Sequence, residues 1–221
     1  ECGGDGSSCL AFLTLGAFNA DADGGTLEVL YEFGSEVSGF QFDVSGLDLI
    51  DGSGGAAGDA GLQVQAGPNA TVIGFDLGGS SIAAGSGVLT VLSFDDVTAD
   101  LTELTLGNGG AVSSPNGEAF TTTASGEEDH SDDIDCAEDY YGASTLDDCG
   151  VCDGGNANMD CAGVCFGESA LDDCGVCNGN NADIDCAGQC FGLAEVDECG
   201  VCDGNNTNMD CAGVCFGEST L

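Results

Sequence analysis

The C-terminal third of this 221-residue chain repeats itself. From Leu146 onward one unit is written nearly three times at a step of 25 residues, so that Cys149, Cys174 and Cys199 correspond, as do Cys152, Cys177 and Cys202. Cys161, Cys186 and Cys211 form the third set, and Cys165, Cys190 and Cys215 the fourth. A fixed step of this size marks a linear array in which each unit leans on its neighbours. The expected form is an irregular, disulfide-rich rod, and nothing in it points to catalysis.

Charge narrows the choices further. The chain has no Lys or Arg against 40 Asp and Glu, a formal charge of −40. Side-chain salt bridges are therefore impossible except through His130, and self-repulsion opposes any compact state. Nucleic acid is excluded as a direct partner, because nothing here neutralises phosphates. A hydrophobic content of 42% argues against plain disorder, which combines high charge with low hydrophobicity. Fifteen cysteines, nearly all in spaced motifs, point to disulfides and an extracellular setting. No apolar run approaches the roughly 18 residues that span a membrane, so membrane insertion is not expected. No signal peptide is visible, which suggests a mature product or part of one.

Residues 1–9 look like the tail of another Cys repeat, with Cys2 and Cys9 in the second and third positions. Residues 10–124 read as β-structure. Short runs alternate between apolar and polar with period two, as in Leu27–Phe33 and Phe40–Val44, between Gly-rich breaks such as Gly24-Gly25. Strands are expected near Leu10–Phe18, Thr26–Phe33, Val37–Val44, Gly61–Ala66, Thr71–Leu77, Val88–Phe94, Glu103–Leu106, Ala111–Ser114 and Ala119–Thr123. About nine short strands make an all-β, jelly-roll β-sandwich. Phe12, Phe33, Phe40, Phe42, Phe75 and Phe94 are the expected core. Residues 125–135 read as an acidic linker, with His130 solvated within it. The array then runs from 136 to 221 and starts with a degenerate unit, in which Cys136 aligns with Cys161 and Tyr140 stands where a cysteine is expected.

The stretches Val37–Val44 (Val-Ser-Gly-Phe-Gln-Phe-Asp-Val) and Gly85–Phe94 resemble the cohesin-like and carbohydrate-module sandwiches of secreted bacterial proteins. That resemblance implies a fold and, with it, a protein or glycan partner on the sandwich. The sandwich has no Trp and one Tyr, Tyr31, so a sugar-stacking platform is not expected.

Within the repeats, oxygen side chains recur at fixed offsets. They are Asp153, Asn156, Asn158 and Asp160, then Asn178, Asn181, Asp183 and Asp185, then Asp203, Asn206, Asn208 and Asp210. Acidic pairs precede each Cys-x-x-Cys: Asp147-Asp148, Asp172-Asp173 and Asp197-Glu198. Hard cations take six to eight such oxygens, so Ca²⁺ is the expected ligand, and chelation should loosen residues 136–221. The pattern resembles the calcium-binding Cys/Asp repeats of thrombospondin type 3 modules, from which it departs in having four cysteines per unit and fewer Asp. Asp, Asn and Gly are also simple turn formers, and Cys-x-x-Cys is also a zinc half-site. A redox-active Cys-x-x-Cys lacks its thioredoxin-like βαβ context.

The simplest pairing joins the second and third cysteines of each unit (Cys152–Cys161, Cys177–Cys186, Cys202–Cys211). It joins the fourth to the first of the next (Cys165–Cys174, Cys190–Cys199). Cys136–Cys149 and Cys2–Cys9 complete it, and Cys215 is left for an intermolecular bond or a continuing chain. The chain begins and ends inside a repeat, so head-to-tail self-association into a filament is expected, and the protein reads as structural rather than enzymatic. The alternative is a cell-surface binding module on a stalk.

Overall fold

The computed structural model describes residues 9–67 and 69–219. These fall into two compact units, divided between Thr145 and Leu146. The first is a sandwich of two β-sheets. Its strands are β1 (Leu10–Asp21), β2 (Gly24–Phe33), β3 (Gly39–Ser45), β4 (Leu47–Ser53), β5 (Gln63–Ala66), β6 (Thr71–Phe75), β7 (Gly85–Val97), β8 (Leu101–Thr105), β9 (Ala111–Ser113), β10 (Thr121–Ser125) and β11 (Glu127–Asp129). One sheet runs β10-β1-β2-β7-β4, the other β11-β8-β3-β6-β5, with β9 also pairing β3. The pairs are antiparallel except β1–β10, which is parallel. The all-β sandwich expected from the alternation is thus observed, with two strands beyond the nine. The additions are β4, whose Asp48, Asp51 and Gly52 mask its period, and the three-residue β11. A short helix, α1 (Gly55–Ala60), was not expected either.

Parity decides the core. Ala11 and Leu13 of β1 are fully buried, which turns Phe12 outward and leaves it 42% exposed. Phe33, Phe40, Phe42 and Phe94 are buried as expected, and Phe120 joins them. Phe75 is only half-buried, because Val72 and Gly74 take the inward places on β6. Gly74 is there because the Phe40 ring occupies its side-chain space: a Cβ would lie 2.0 Å from the ring.

The stretch 125–135 is not a linker. It contributes β11, and His130 is fully buried rather than solvated. Its Nε2 hydrogen-bonds to Thr102 Oγ1 at 2.9 Å and its Nδ1 to the Tyr141 hydroxyl at 2.8 Å. The Phe18 ring lies 4.7 Å away. Tyr140, standing where a cysteine was expected, donates its hydroxyl to Asp100 Oδ1 at 2.8 Å. Burial first, and then the Asp133 carboxylate, push the Tyr141 phenol up to about 12. The two tyrosines thus anchor the turn of Asp135 to the sandwich.

Truncating the buried ring in Phe42→Ala should cost about 3–5 kcal/mol in the urea-unfolding transition of the sandwich. Phe12→Ala should cost a small fraction of that, and equal losses would contradict the assigned parity.

Candidate functional site

The repeat region is built from a turn half the length of the sequence repeat. Asp147, Asp160, Asp172, Asp185, Asp197 and Asp210 stand alternately 13 and 12 residues apart, and each organises one turn. In the turn of Asp172, the Oδ1 atom accepts from the N–H groups of Cys174 and Val176, both at 2.9 Å, and Oδ2 accepts from Asn181 at 2.9 Å. The Asp172 N–H donates to the Val176 carbonyl, and Gly175 N–H to the Asp172 carbonyl, each at 2.9 Å. The turn of Asp185 repeats this with Ala187, Gln189 and Ala194 at 3.0, 2.9 and 3.1 Å. Asp135, on the sandwich side of the division, makes the same turn with Ala137, Asp139 and Ser144. The residue seven places on is always glycine, because the carboxylate crosses over it: a Cβ on Gly179 would lie 2.3 Å from Asp172 Oδ2.

These hydrogen bonds favour the ionised carboxylate. Asp147, Asp160, Asp172, Asp185, Asp197 and Asp210 are all held below the ordinary carboxylate range. In each, the largest cause is the hydrogen bond from the residue four places on.

The disulfides join turn to turn. The observed bonds are Cys149–Cys165, Cys161–Cys177, Cys174–Cys190, Cys186–Cys202 and Cys199–Cys215, each with a sequence separation of 16. A cysteine just after one turn's aspartate therefore meets the cysteine five places after the next aspartate. Closing loops of this length contributes about 3 kcal/mol each in the chain-entropy account. This corrects the pairing expected from sequence. Cys152–Cys161, Cys177–Cys186, Cys202–Cys211, Cys165–Cys174, Cys190–Cys199 and Cys136–Cys149 are not formed. Each turn is already closed on its own aspartate, so covalent links serve between turns instead. Cys215 is bonded, and the free cysteine among the described residues is the exposed Cys211. Cys9, Cys136 and Cys152 are also disulfide-bonded. Cys2 lies outside the described residues.

The other residues expected to bind metal are dispersed. Asn181 accepts the Asp173 N–H at 3.0 Å and donates to the Asp173 carboxylate at 2.8 Å. Asn156 does the same with Asp148, and Asn206 accepts the Glu198 N–H. Asn178 donates to the Ser169 hydroxyl. Asn158, Asp183 and Asn208 receive the N–H groups of Phe166, Phe191 and Phe216 on their backbone carbonyls. Asp153 and Asp203 sit at positive φ in exposed turns. Among the described residues no group of three or more His, Cys, Asp or Glu side chains is placed to hold a metal ion. A calcium cage needs several free oxygens converging on one point, whereas the turn carboxylates here point at backbone N–H groups. The sequence signal for the turn was the half-period itself: Asp, then Cys five places on and Gly seven places on, written in both halves of every unit.

No protein-family model matches the chain, and the curated proteins contain no match. Among solved structures, the sandwich is similar in fold to cohesin modules. A non-cellulosomal cohesin from the archaeon Archaeoglobus fulgidus shares 16% identity over 53% of this chain and 88% of its own, with a TM-score of 0.39. The cohesin of the Coh-OlpA–Doc918 complex from Clostridium thermocellum shares 14% over 54% of this chain and 98% of its own, with a TM-score of 0.41.

The turn carboxylates gain stability by being ionised: their folded pKa is depressed, so that stability is present above the ordinary Asp range and is lost as pH falls through the lowered values. Protection of the Val151, Val176 and Val201 amides, measured against their intrinsic exchange rates at each pH, should therefore persist at neutral pH with or without EDTA and fall only well into acid. Faster exchange on EDTA addition at neutral pH would show that metal holds the turns after all. Asp172→Asn should open the amides of Val176 and Asn181 while leaving the sandwich protected. The amide group that replaces the carboxylate presents an N–H to donors that need an acceptor.

Proposed function

We propose that this is an extracellular protein-binding module carried on a disulfide-laddered repeat region. The observation that carries this reading is the outward face of the β5-β6-β3-β9 sheet. In register across it lie Gln65, Ile73, Gln41 and Ala111, and beside them Gln63, Phe75, Gly39 and Ser113. Ile73 is 38% exposed, and the nearest acid on these strands, Asp43, accepts a hydrogen bond from Thr71 Oγ1 at 2.8 Å. On a chain of formal charge −40, a sheet face of amides, hydroxyls and the apolar side chains of Ile73, Phe75 and Ala111 is a place where a partner meets little desolvation cost. Depletion of charge at the centre with a charged rim is the usual anatomy of a protein interface. The partner that fits is a folded protein with an apolar, amide-matching contact face and Lys or Arg at its margin, answering the acidic surroundings such as Glu103. The resemblance to cohesins agrees with a protein partner rather than a glycan.

The disulfide ladder supports an oxidising compartment. Calcium enters this reading only as one of the counterions in the atmosphere that screens the charge. A filament is the second reading, favoured by the exposed Cys211 thiol. It occupies the position from which Cys161 and Cys186 bond forward to the next turn, so a following turn, of a longer chain or of another copy, completes it.

A photo-crosslinking residue placed at position 73 of the full chain should capture a protein partner in extracts of the native surface material. The same residue at Thr26, outward on the opposite sheet, should not. Equal capture at both positions, or capture at 73 that survives Phe75→Asp, would refute the assigned face. For the filament, native material under non-reducing conditions should show covalent multimers that collapse on reduction and that Cys211→Ser prevents.

A further inference from the structure

The turn of Asp135 shows what its aromatic residue holds. Tyr141 stands there at φ +54°, with its N–H bonded to the Asp133 carbonyl at 2.7 Å. Its hydroxyl lies 2.8 Å from His130 Nδ1, and the Asp133 carboxylate hydrogen-bonds the same hydroxyl. The Tyr141 and His130 rings meet edge to face, with centroids 5.8 Å apart. In a chain without Lys or Arg, His130 is the one side chain able to carry a positive charge. A turn aromatic, with a carboxylate eight residues before it, is thus a seat for a basic nitrogen group.

The same frame recurs in the repeats. Phe191 takes the place of Tyr141, at φ +55°, and Asp183 that of Asp133, its carbonyl accepting the Phe191 N–H at 2.7 Å. Phe166 and Asn158 form the frame one unit earlier, at 2.6 Å. Here the rings are left 65% and 67% exposed, and each edges an open cleft. The cleft of Phe191, about 470 Å³, is walled by Ile184, by Leu193, which is 93% exposed, and by Glu195. That of Phe166, about 440 Å³, is walled by Met159 and Glu168. The acid changes place between the two. Leu193 stands where the earlier unit has Glu168, and Glu195 stands where it has Ala170. Each cleft nevertheless keeps a ring, an aliphatic wall and an exposed carboxylate. Asp160 and Asp185 also line the clefts, but their oxygens are taken up by backbone N–H groups.

That combination selects its occupant by charge. An anionic surface, a second copy of this chain included, is repelled. A neutral apolar side chain leaves the carboxylates without a partner. A Lys or Arg side chain satisfies all three parts: its alkyl stem lies along apolar surface while its head stays polar, the head is attracted to the face of an aromatic ring, and it answers an acidic rim. We propose that the Phe166 and Phe191 clefts receive Lys or Arg side chains of a basic protein segment. The stem lies on Met159 in one cleft and on Ile184 and Leu193 in the other. The cationic head sits between the ring and Glu168, or between the ring and Asp183 with Glu195. This site lies on the repeats and stands apart from the reading given to the Ile73 sheet face.

The test is a titration of the full, ¹⁵N-labelled chain, disulfides intact, with a synthetic Arg-Gly-Ser repeat peptide. The control is the same peptide with citrulline for arginine, which keeps the shape and removes the charge. Amide shifts should concentrate at Phe166, Glu168, Phe191 and Leu193 and be smaller around other exposed acids such as Asp148 and Asp173. They should fade as sodium chloride rises to about 1 M, where the screening length falls to about 3 Å. The Phe166→Asn/Phe191→Asn variant keeps the net charge and places a residue type suited to the turn, as Asn178 at φ +53° shows. Its disulfides should map unchanged and its Val176 amide stay protected, while its affinity for the peptide falls about tenfold, as two exposed cation–π contacts imply. Shifts spread evenly over the exposed Asp and Glu residues would mean a counterion effect only and overturn the proposal. So would a variant that binds as the wild type does, or a citrulline peptide that binds as the arginine one does.

Discussion

The repeat region depends on one interaction: an aspartate carboxylate that gathers backbone N–H groups. In the Asp172 turn three amides converge on the two oxygens. Charge-assisted hydrogen bonds of this kind are shorter and stronger than neutral ones, and here they satisfy amides that no regular secondary structure would take up. The carboxylate plays the part that an external anion plays in a backbone nest. A chain without a single Lys or Arg can therefore hold many acidic groups in a folded state, because the partial positive charge of the peptide groups does part of the neutralising.

Several otherwise separate features follow from that turn. The glycine seven places on is demanded by the passing carboxylate. The cysteine five places on stands in the short bridge that closes the turn, as Cys177 does opposite Leu171. Since every turn closes locally, the disulfides are released to tie each turn to its neighbour. Little apolar surface is buried in this region, where Leu146, Leu171 and Val196 are 62%, 61% and 58% exposed. Covalent links stand in for the core that small units cannot build. The sandwich is the opposite case. Its stability rests on two sheets closing over Phe42, Phe94, Leu13 and Leu27, among others, and its acids lie outside that core.

The two ways of folding lead to two kinds of surface. The sandwich leaves a nearly uncharged sheet face around Ile73 and Gln41. The repeats leave the Phe166, Phe191 and Phe216 rings exposed at regular intervals in an acidic setting. His130 and Tyr141 show how the two vocabularies meet within the first unit, where an Asp turn's aromatic residue becomes part of a buried hydrogen-bonded cluster.

The amino-acid sequence by itself determined the periodicities. Alternation in Leu27–Phe33 specified strands, and the 25-residue step specified a repeating, cysteine-linked array, because both are properties of spacing along one chain. Tertiary structure decided what spacing leaves open. Phe12 and Phe75 are as apolar as Phe42, and only the parity of Ala11 and Leu13 and the reach of the Phe40 ring put them outside. Strand β4 and the burial of His130 were hidden because acidic neighbours mask them until a second sheet and two tyrosines cover them. The same aspartates read as calcium ligands or as turn formers along the sequence, and their role as acceptors for three backbone N–H groups showed only in where those groups point. Which cysteines pair was likewise a matter of which turns lie side by side: Cys161 is nearer in sequence to Cys152 than to Cys177, but it is the next turn that brings a sulfur within reach.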